Sequence, residues 1–185
     1  MKKLALILIL ASMVLVSGCS GPTSTQEDVV KEGDLIQVNY VGELEDGSIF
    51  DTSIEEIAKG AGDGVYNPDR AYEPLEFTVG AGQMIRGFDN GVIGMASGEE
   101  KTVTIPPEDA YGLHSEERVV PVTIESLTAS NITPTVGMTL YTPYGQEITI
   151  VDVNDTHAML DHNHPLAGKE LTFKITLVSI HEQTN

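Results

Sequence analysis

Val38-Asn39-Tyr40-Val41-Gly42-Glu43-Leu44-Glu45-Asp46-Gly47-Ser48-Ile49-Phe50-Asp51 is the stretch whose reading decides the fold. It belongs to a run, Asp34 to Leu44, that alternates imperfectly but is rich in Val, Ile and Tyr, the residues that suit a pleated, half-buried surface. Glu45-Asp46-Gly47 is a tight-turn signal, after which Ile49-Phe50 resumes the strand pattern. The stretch therefore predicts a β-hairpin.

Working outward, Ser53 to Glu73 carries Gly60, Gly62, Gly64 and Pro68 and reads as a long loop holding a short helix, Ile54 to Lys59. Leu75 to Val79 is a strand stopped by Gly80-Ala81-Gly82. Ile85, Phe88, Val92 and Met95 recur at helical spacing, with Gly94 and Gly98 at the exit. Gly87 and Gly91 weaken that helix intrinsically, so burial must hold it. Lys101 to Ile105 alternates until Pro106-Pro107 ends it, and Leu171, Phe173, Ile175 and Leu177 share one face of a final strand. The fold class is α+β, an antiparallel sheet curled around one short helix.

Between Gly112 and Pro165 lie further β-like runs, Arg118 to Ile124, Gly137 to Thr142, Gln146 to Val153 and His157 to Asp161, with turns at Pro143-Tyr144-Gly145 and Asn154-Asp155. A structureless loop of that length is unusual in a compact domain. The residues predict a second, small all-β domain over 115–164, inserted into a first made of 31–114 and 165–182.

The 185 residues fit one domain or two small ones, and 41% apolar content supplies an ordinary core. Ten bases against 28 acids, a net charge of −18, argue against nucleic acid as a partner, because phosphate binding needs clustered Lys and Arg. Lys2-Lys3, an uncharged apolar run from Leu4 to Val16, and small residues up to Cys19 form the layout of a secretory signal over 1–18. The alternative is an uncleaved anchor, against which the run is short, since a spanning helix needs roughly 20 residues. Val16-Ser17-Gly18-Cys19 resembles the lipobox of exported lipoproteins, which implies that Cys19 is lipidated and becomes the first mature residue. Cys19 is the chain's one cysteine, so no intrachain disulfide competes for it. Cleavage would leave eight bases against the same 28 acids, a net charge of −20. Ser20 to Gln26 has no apolar side chain and reads as part of a flexible tether over 19–30. The expectation is a globular unit held at the extracytoplasmic face of a membrane.

Five stretches, taken in order, carry a family resemblance: Val38-Asn39-Tyr40-Val41-Gly42, Asp46-Gly47-Ser48-Ile49-Phe50-Asp51, Gly82-Gln83-Met84-Ile85-Arg86-Gly87-Phe88, Pro107-Glu108-Asp109-Ala110-Tyr111-Gly112 and His164-Pro165-Leu166-Ala167-Gly168-Lys169. Together they resemble the FKBP-type peptidyl-prolyl cis-trans isomerases, and the interruption resembles the insert in flap of the SlyD-like subfamily. The resemblance implies a proline pocket lined by Tyr40, Phe50 and Phe173, floored by Phe88 and flanked by Met84 and Ile85. The Ile85 N–H and the Tyr111 hydroxyl would anchor the peptide's carbonyls. Asp51 would orient Tyr40 or meet the twisting amide's polar atoms; a second reading makes it a turn residue capping the helix that follows Ser53. Many relatives carry Trp where Phe88 stands and several an aromatic at Leu75, which implies a looser pocket and weaker binding of macrolide inhibitors.

Prolyl isomerisation calls for no cofactor, metal or nucleophile. Its barrier of roughly 18–20 kcal/mol is amide resonance, and an apolar pocket shaped for the twisted, less charge-separated amide lowers it. The resemblance also implies that the insert takes the place of the short flap found in simple isomerases and binds unfolded chains. Val119, Val120, Val122, Ile124, Met138, Leu140, Tyr141 and Tyr144 would serve as that surface or as the insert's own core. His157, His162 and His164 lie near Asp161, with His162 and His164 expected on one strand face. No cysteine accompanies them and the terminal His181-Glu182-Gln183-Thr184-Asn185 lacks the subfamily's metal-binding tail, so no metal site is expected. No acid-base role falls to His114. The expected protein is a monomeric, exported isomerase acting on X-Pro bonds of unfolded exported proteins. The alternative is a non-catalytic holdase on the same scaffold.

Overall fold

The computed structural model describes residues 28–181 apart from residue 63, so the readings on the apolar leader, Cys19 and Ser20 to Gln26 lie outside the described residues. The hairpin forms as the sequence predicts. β1 (Leu35–Leu44) buries every second residue, Ile36, Val38, Tyr40 and Gly42, and pairs antiparallel with β2 (Ile49–Thr52). Along its first half the same strand pairs with β3 (Leu75–Thr78). Its other edge carries β9 (Leu171–His181), and beyond that lies β4 (Glu100–Ile105), giving a five-stranded antiparallel sheet. The last strand of the chain is thus central, and Leu171, Phe173, Ile175 and Leu177 are its buried face.

Two short helices attend this sheet: α1 (Glu55–Ala61) and α2 (Arg86–Val92), the second lying against it with Phe88, Asp89 and Val92 buried. The glycines that weaken α2 on propensity are what let it approach. A Cβ on Gly87 would stand 2.3 Å from Ile105 Cγ2, and one on Gly91 3.0 Å from Val103 Cγ1. Propensity yields to packing here, as it does wherever a close approach buries apolar surface. Two tethers reinforce the helix. Lys101 Nζ donates to the Gly91 carbonyl at 2.7 Å, and the buried Asp89 carboxylate accepts the Gly80 N–H at 2.9 and 3.0 Å. The helical pattern that ran on to Met95 stops at Val92; Gly94 takes φ +82, and Met95 reaches the core from a turn.

One boundary moves. The tether reading extended to residue 30, yet Val30 is 1% exposed inside the main core, and Val29 bridges Ala96. Val30 N–H donates to the Met95 carbonyl, and the Val30 carbonyl accepts from Gly94. The fold therefore begins before Lys31.

The chain leaves the sheet at Ile105 and returns at Leu171, and those two residues are partners in the β4–β9 ladder. Everything between is an excursion from two neighbouring strands. It holds a second antiparallel sheet in the order β5 (Val119–Thr123), β8 (His157–Asp161), β7 (Glu147–Val153), β6 (Thr139–Tyr141). That sheet has its own small core, Leu127, Ile148, Ile150, Ala158 and Leu160. The strand expected to run to Ile124 ends one residue earlier, and Ile124–Ala129 is a helix, α3, that the sequence reading did not place. Thr123 caps it by accepting the Ser126 N–H at 3.3 Å. The inserted unit is therefore strands plus one short helix rather than strands alone.

Candidate functional site

β1 projects Tyr40 from its buried face, and the hairpin carries Phe50 and Asp51 back beside it. Gly42 makes this hairpin close. A Cβ there would stand 2.6 Å from Phe50 Cζ and 3.0 Å from Phe173 Cε1, so only glycine leaves room for the two rings. β9 contributes Phe173 and α2 contributes Phe88. Phe173 meets three other rings, Phe88 at 5.0 Å, Phe50 at 5.5 Å and Tyr40 at 6.1 Å between centroids. The first two contacts are edge-to-face, the arrangement the aromatic quadrupole favours.

These rings wall a cavity of about 370 Å³ whose lining includes Tyr40, Phe50, Asp51, Met84, Ile85, Phe88, Tyr111 and Phe173. All eight side chains singled out in the sequence thus converge on one concavity. Leu75 and Gln83 complete it. Ile85 stands just before α2 with extended backbone, φ −60 and ψ 143, and its N–H makes no hydrogen bond among the described residues. An unpaired N–H at the edge of an apolar cavity is a ready donor for a peptide carbonyl.

At the rim, the Tyr40 hydroxyl donates to Asp51 Oδ2 at 2.6 Å. Asp51 Oδ1 accepts the Thr52 N–H at 2.8 Å and Arg70 Nη1 at 2.6 Å, while Arg70 Nη2 donates to the Tyr40 oxygen at 3.1 Å. Burial, and then the Asp51 carboxylate, push the Tyr40 hydroxyl up to about 12, with Arg70 opposing. Tyr40 thus keeps its proton throughout the physiological range. Asp51 orients Tyr40 and does not cap the helix. Thr52 Oγ1 takes the Ile54 N–H at 3.1 Å, and the helix carries no side-chain cap.

Arg70 is the residue the sequence reading missed. Its signal was thin: one of ten bases among 28 acids, in a glycine-rich loop between Tyr66 and Tyr72. The loop folds back because the Tyr66 and Tyr72 rings stack at 5.9 Å and Arg70 lies 5.2 Å from the Tyr72 centroid. These contacts set a cation against the Tyr40–Asp51 pair.

Tyr111 enters the cavity from the segment that leads into the excursion. It is 40% exposed, its hydroxyl is raised by burial and then by the Asp51 charge, and its ring stacks on His164. His162 and His164, expected on one strand face, are not on a strand: β8 stops at Asp161, before both. His157 Nδ1 meets Thr156 Oγ1. Among the described residues no group of three or more His, Cys, Asp or Glu side chains could hold a metal ion.

Residues 26–178 match the family described as FKBP-type peptidyl-prolyl cis-trans isomerase. The chain belongs to this family. Among its relatives is a short-type peptidyl-prolyl cis-trans isomerase of Methanocaldococcus jannaschii, 47% identical over 148 residues, which are 80% of this chain and 92% of that protein. The SlyD protein of Helicobacter pylori is 33% identical over 129 residues, 69% of this chain and 70% of that one. FK506-binding protein 2 of Yarrowia lipolytica is 40% identical over 91 residues, 49% of this chain and 53% of its own length. In an FKBP-type isomerase no nucleophile or cofactor has to be found. What the aromatic cavity offers is shape, low polarity and positioned donors, the properties that a twisting amide requires.

Proposed function

We propose that the cavity between β1, β9 and α2 is the prolyl-isomerisation site of this FKBP-type isomerase. Tyr40, Phe50, Phe88 and Phe173 enclose the proline ring, and Met84 and Ile85 flank it. The Ile85 N–H and the Tyr111 hydroxyl hold peptide carbonyls on either side of the twisting bond. Asp51, fixed by Arg70, orients Tyr40. The observation that carries this reading is the convergence of eight dispersed side chains on one apolar cavity with an unpaired N–H at its edge. Loss of one aromatic wall removes about 1–1.5 kcal/mol of contact, worth roughly tenfold in rate.

Refolding of a protein limited by a trans-to-cis proline step tests it. Catalytic amounts of the mature protein should accelerate that step, and Phe50→Ala, which truncates a half-buried wall, should slow the acceleration about tenfold. No acceleration by wild type, with aggregation suppressed at equimolar protein, would instead mark a holdase.

The clients are unfolded exported proteins, met at the outer face of a membrane to which a lipid on Cys19 tethers the monomer. The apolar run from Leu4 to Val16 and the small residues that follow it up to Cys19 support this reading. Mass spectrometry of the membrane-associated protein should find a diacylglyceryl-modified Cys19 as first residue; an unmodified chain recovered without detergent would overturn it.

A SlyD-like chaperone role for the insert is supported by its surface. Of the apolar residues considered for client binding, Val122, Ile124, Met138 and Leu140 pack against the insert's own core. Val120 at 41%, Tyr141 at 67% and Tyr144 at 97% exposure remain outside, joined by Val136 at 64%. Those four are the client-binding candidates.

A further inference from the structure

Tyr111 and His164 come from opposite limbs of the neck through which the chain leaves and re-enters the first sheet. Their rings lie 3.8 Å apart and 3° from parallel. His164 is itself fixed: its Nδ1 accepts the Leu166 N–H at 3.1 Å, and Leu166 packs against the main core. The limbs are clasped beside it. Buried Asn163 accepts the Ser115 N–H at 3.1 Å, and its amide donates to the Ser115 carbonyl at 2.9 Å and to Asp161 Oδ1 at 2.7 Å. Below, Gly168 N–H donates to the Gly112 carbonyl at 2.8 Å.

We propose that His164 is a positioning residue for the isomerase pocket, a flat platform that holds the Tyr111 ring, and with it the peptide-anchoring hydroxyl, at the cavity wall. The inference rests on the reading of Tyr111 as an anchor. Both rings are partly exposed, so Tyr111 has no tight packing of its own to fix it. The stack supplies what burial does not.

The platform works in one protonation state. With Nδ1 accepting from Leu166, the neutral ring carries its proton on Nε2. A second proton would go on Nδ1, turn an acceptor into a donor facing a donor, and break the bond that orients the ring. Burial lowers the His164 pKa below its ordinary 6.5, opposed by the Glu147 charge. In the folded protein the ring is therefore still neutral at pH 6.5, and the platform is lost only at lower pH, as the ring takes its second proton around its lowered pKa. The other groups around it are Glu147 from β7, Arg118 from the turn before β5, and His162 on its own limb, with Tyr111 across the stack. His114 is engaged elsewhere, its Nε2 3.0 Å from Asp161 Oδ2 and its Nδ1 3.6 Å from Glu116.

The test is kcat/KM on a short proline peptide between pH 5 and 8 for wild type, His164→Ala, His164→Phe and Tyr111→Ala. A stacked pair of this kind is worth about two- to tenfold. His164→Ala should fall by that factor at pH 8 and lose the pH dependence. His164→Phe keeps a ring with no proton to gain but cannot accept the Leu166 N–H, so it should fall between wild type and His164→Ala at pH 8 and stay flat as pH falls, where wild type declines. If Tyr111→Ala impairs catalysis but His164→Ala does not, the platform is wrong and the anchor survives. If Tyr111→Ala is as active as wild type, both fall. Equal losses in His164→Ala and His164→Phe, or a wild-type pH decline in His164→Phe, would also overturn the proposal, since stacking or titration of His164 would then not be the cause.

Discussion

Phe88→Ala is expected to cost about 3–5 kcal/mol of stability, a large share of the roughly 5–15 kcal/mol that holds a domain together. Phe88 is 3% exposed and touches Tyr40, Phe77 and Phe173, with ring centroids at 6.0, 5.8 and 5.0 Å. It is at once part of the wall of the aromatic cavity and the ring through which α2 grips the sheet. Truncation leaves a void that α2 cannot close, because Gly87 and Gly91 already bring the helix against Ile105 and Val103. Urea unfolding should show the loss as a lower midpoint, and activity should fall with the folded fraction and with the missing wall. A change below about 1 kcal/mol would mean that the surrounding rings collapse into the space and that Phe88 is no keystone. For the same reason Phe50→Ala is the cleaner probe of catalysis, since Phe50 is only half buried.

The parts of the site legible in the sequence are those whose signal is local or periodic. Tyr40 shows itself by alternation along β1, Phe173 by alternation along β9, and Phe88 by helical spacing. Their convergence needed the resemblance, because β9 stands beside β1 only after an excursion of some sixty residues has returned, and no spacing rule encodes that. Arg70 escaped because its partners Asp51 and Tyr40 are 19 and 30 residues away and a Gly-rich loop offers no periodicity to point a side chain. Propensity misjudged Gly87 and Gly91, whose value is the atoms they lack. Thr123 and Ser126 form a legible cap for α3, but the Val-rich, β-like run up to Ile124 outweighed it. The histidines were weighed for metal and set aside, since no cysteine accompanies them. What His164 and His114 touch, Tyr111 and Asp161, comes from the two-limbed neck and is invisible until the limbs are joined.

Excising the insert while keeping its neck should separate two substrates by about a hundredfold. Val119 and Asp161 are antiparallel partners, and the Arg118 carbonyl accepts the His162 N–H at 3.0 Å. A two-residue Asn-Gly turn in place of residues 120–160 can therefore close the neck without strain. The Asn163 clasp, the His114–Asp161 pair and the Tyr111–His164 stack all survive. The main core has no member inside the excised stretch, so the remaining fold should keep its melting temperature within a few degrees. Activity on a short proline peptide should stay within about threefold of wild type, because every wall of the cavity is retained. On an unfolded protein the proposed client-binding surface of the insert would act as a second binding module, turning the encounter of proline and pocket into an intramolecular event. Its loss should cut the acceleration of proline-limited refolding by about 10²-fold or more. Substituting Tyr141 and Tyr144 with Ser in the intact chain should reproduce part of that loss, since those rings present most of the exposed aromatic surface of the insert. Equal losses on peptide and protein would mean that the insert serves the pocket alone, through the neck, and never touches the client.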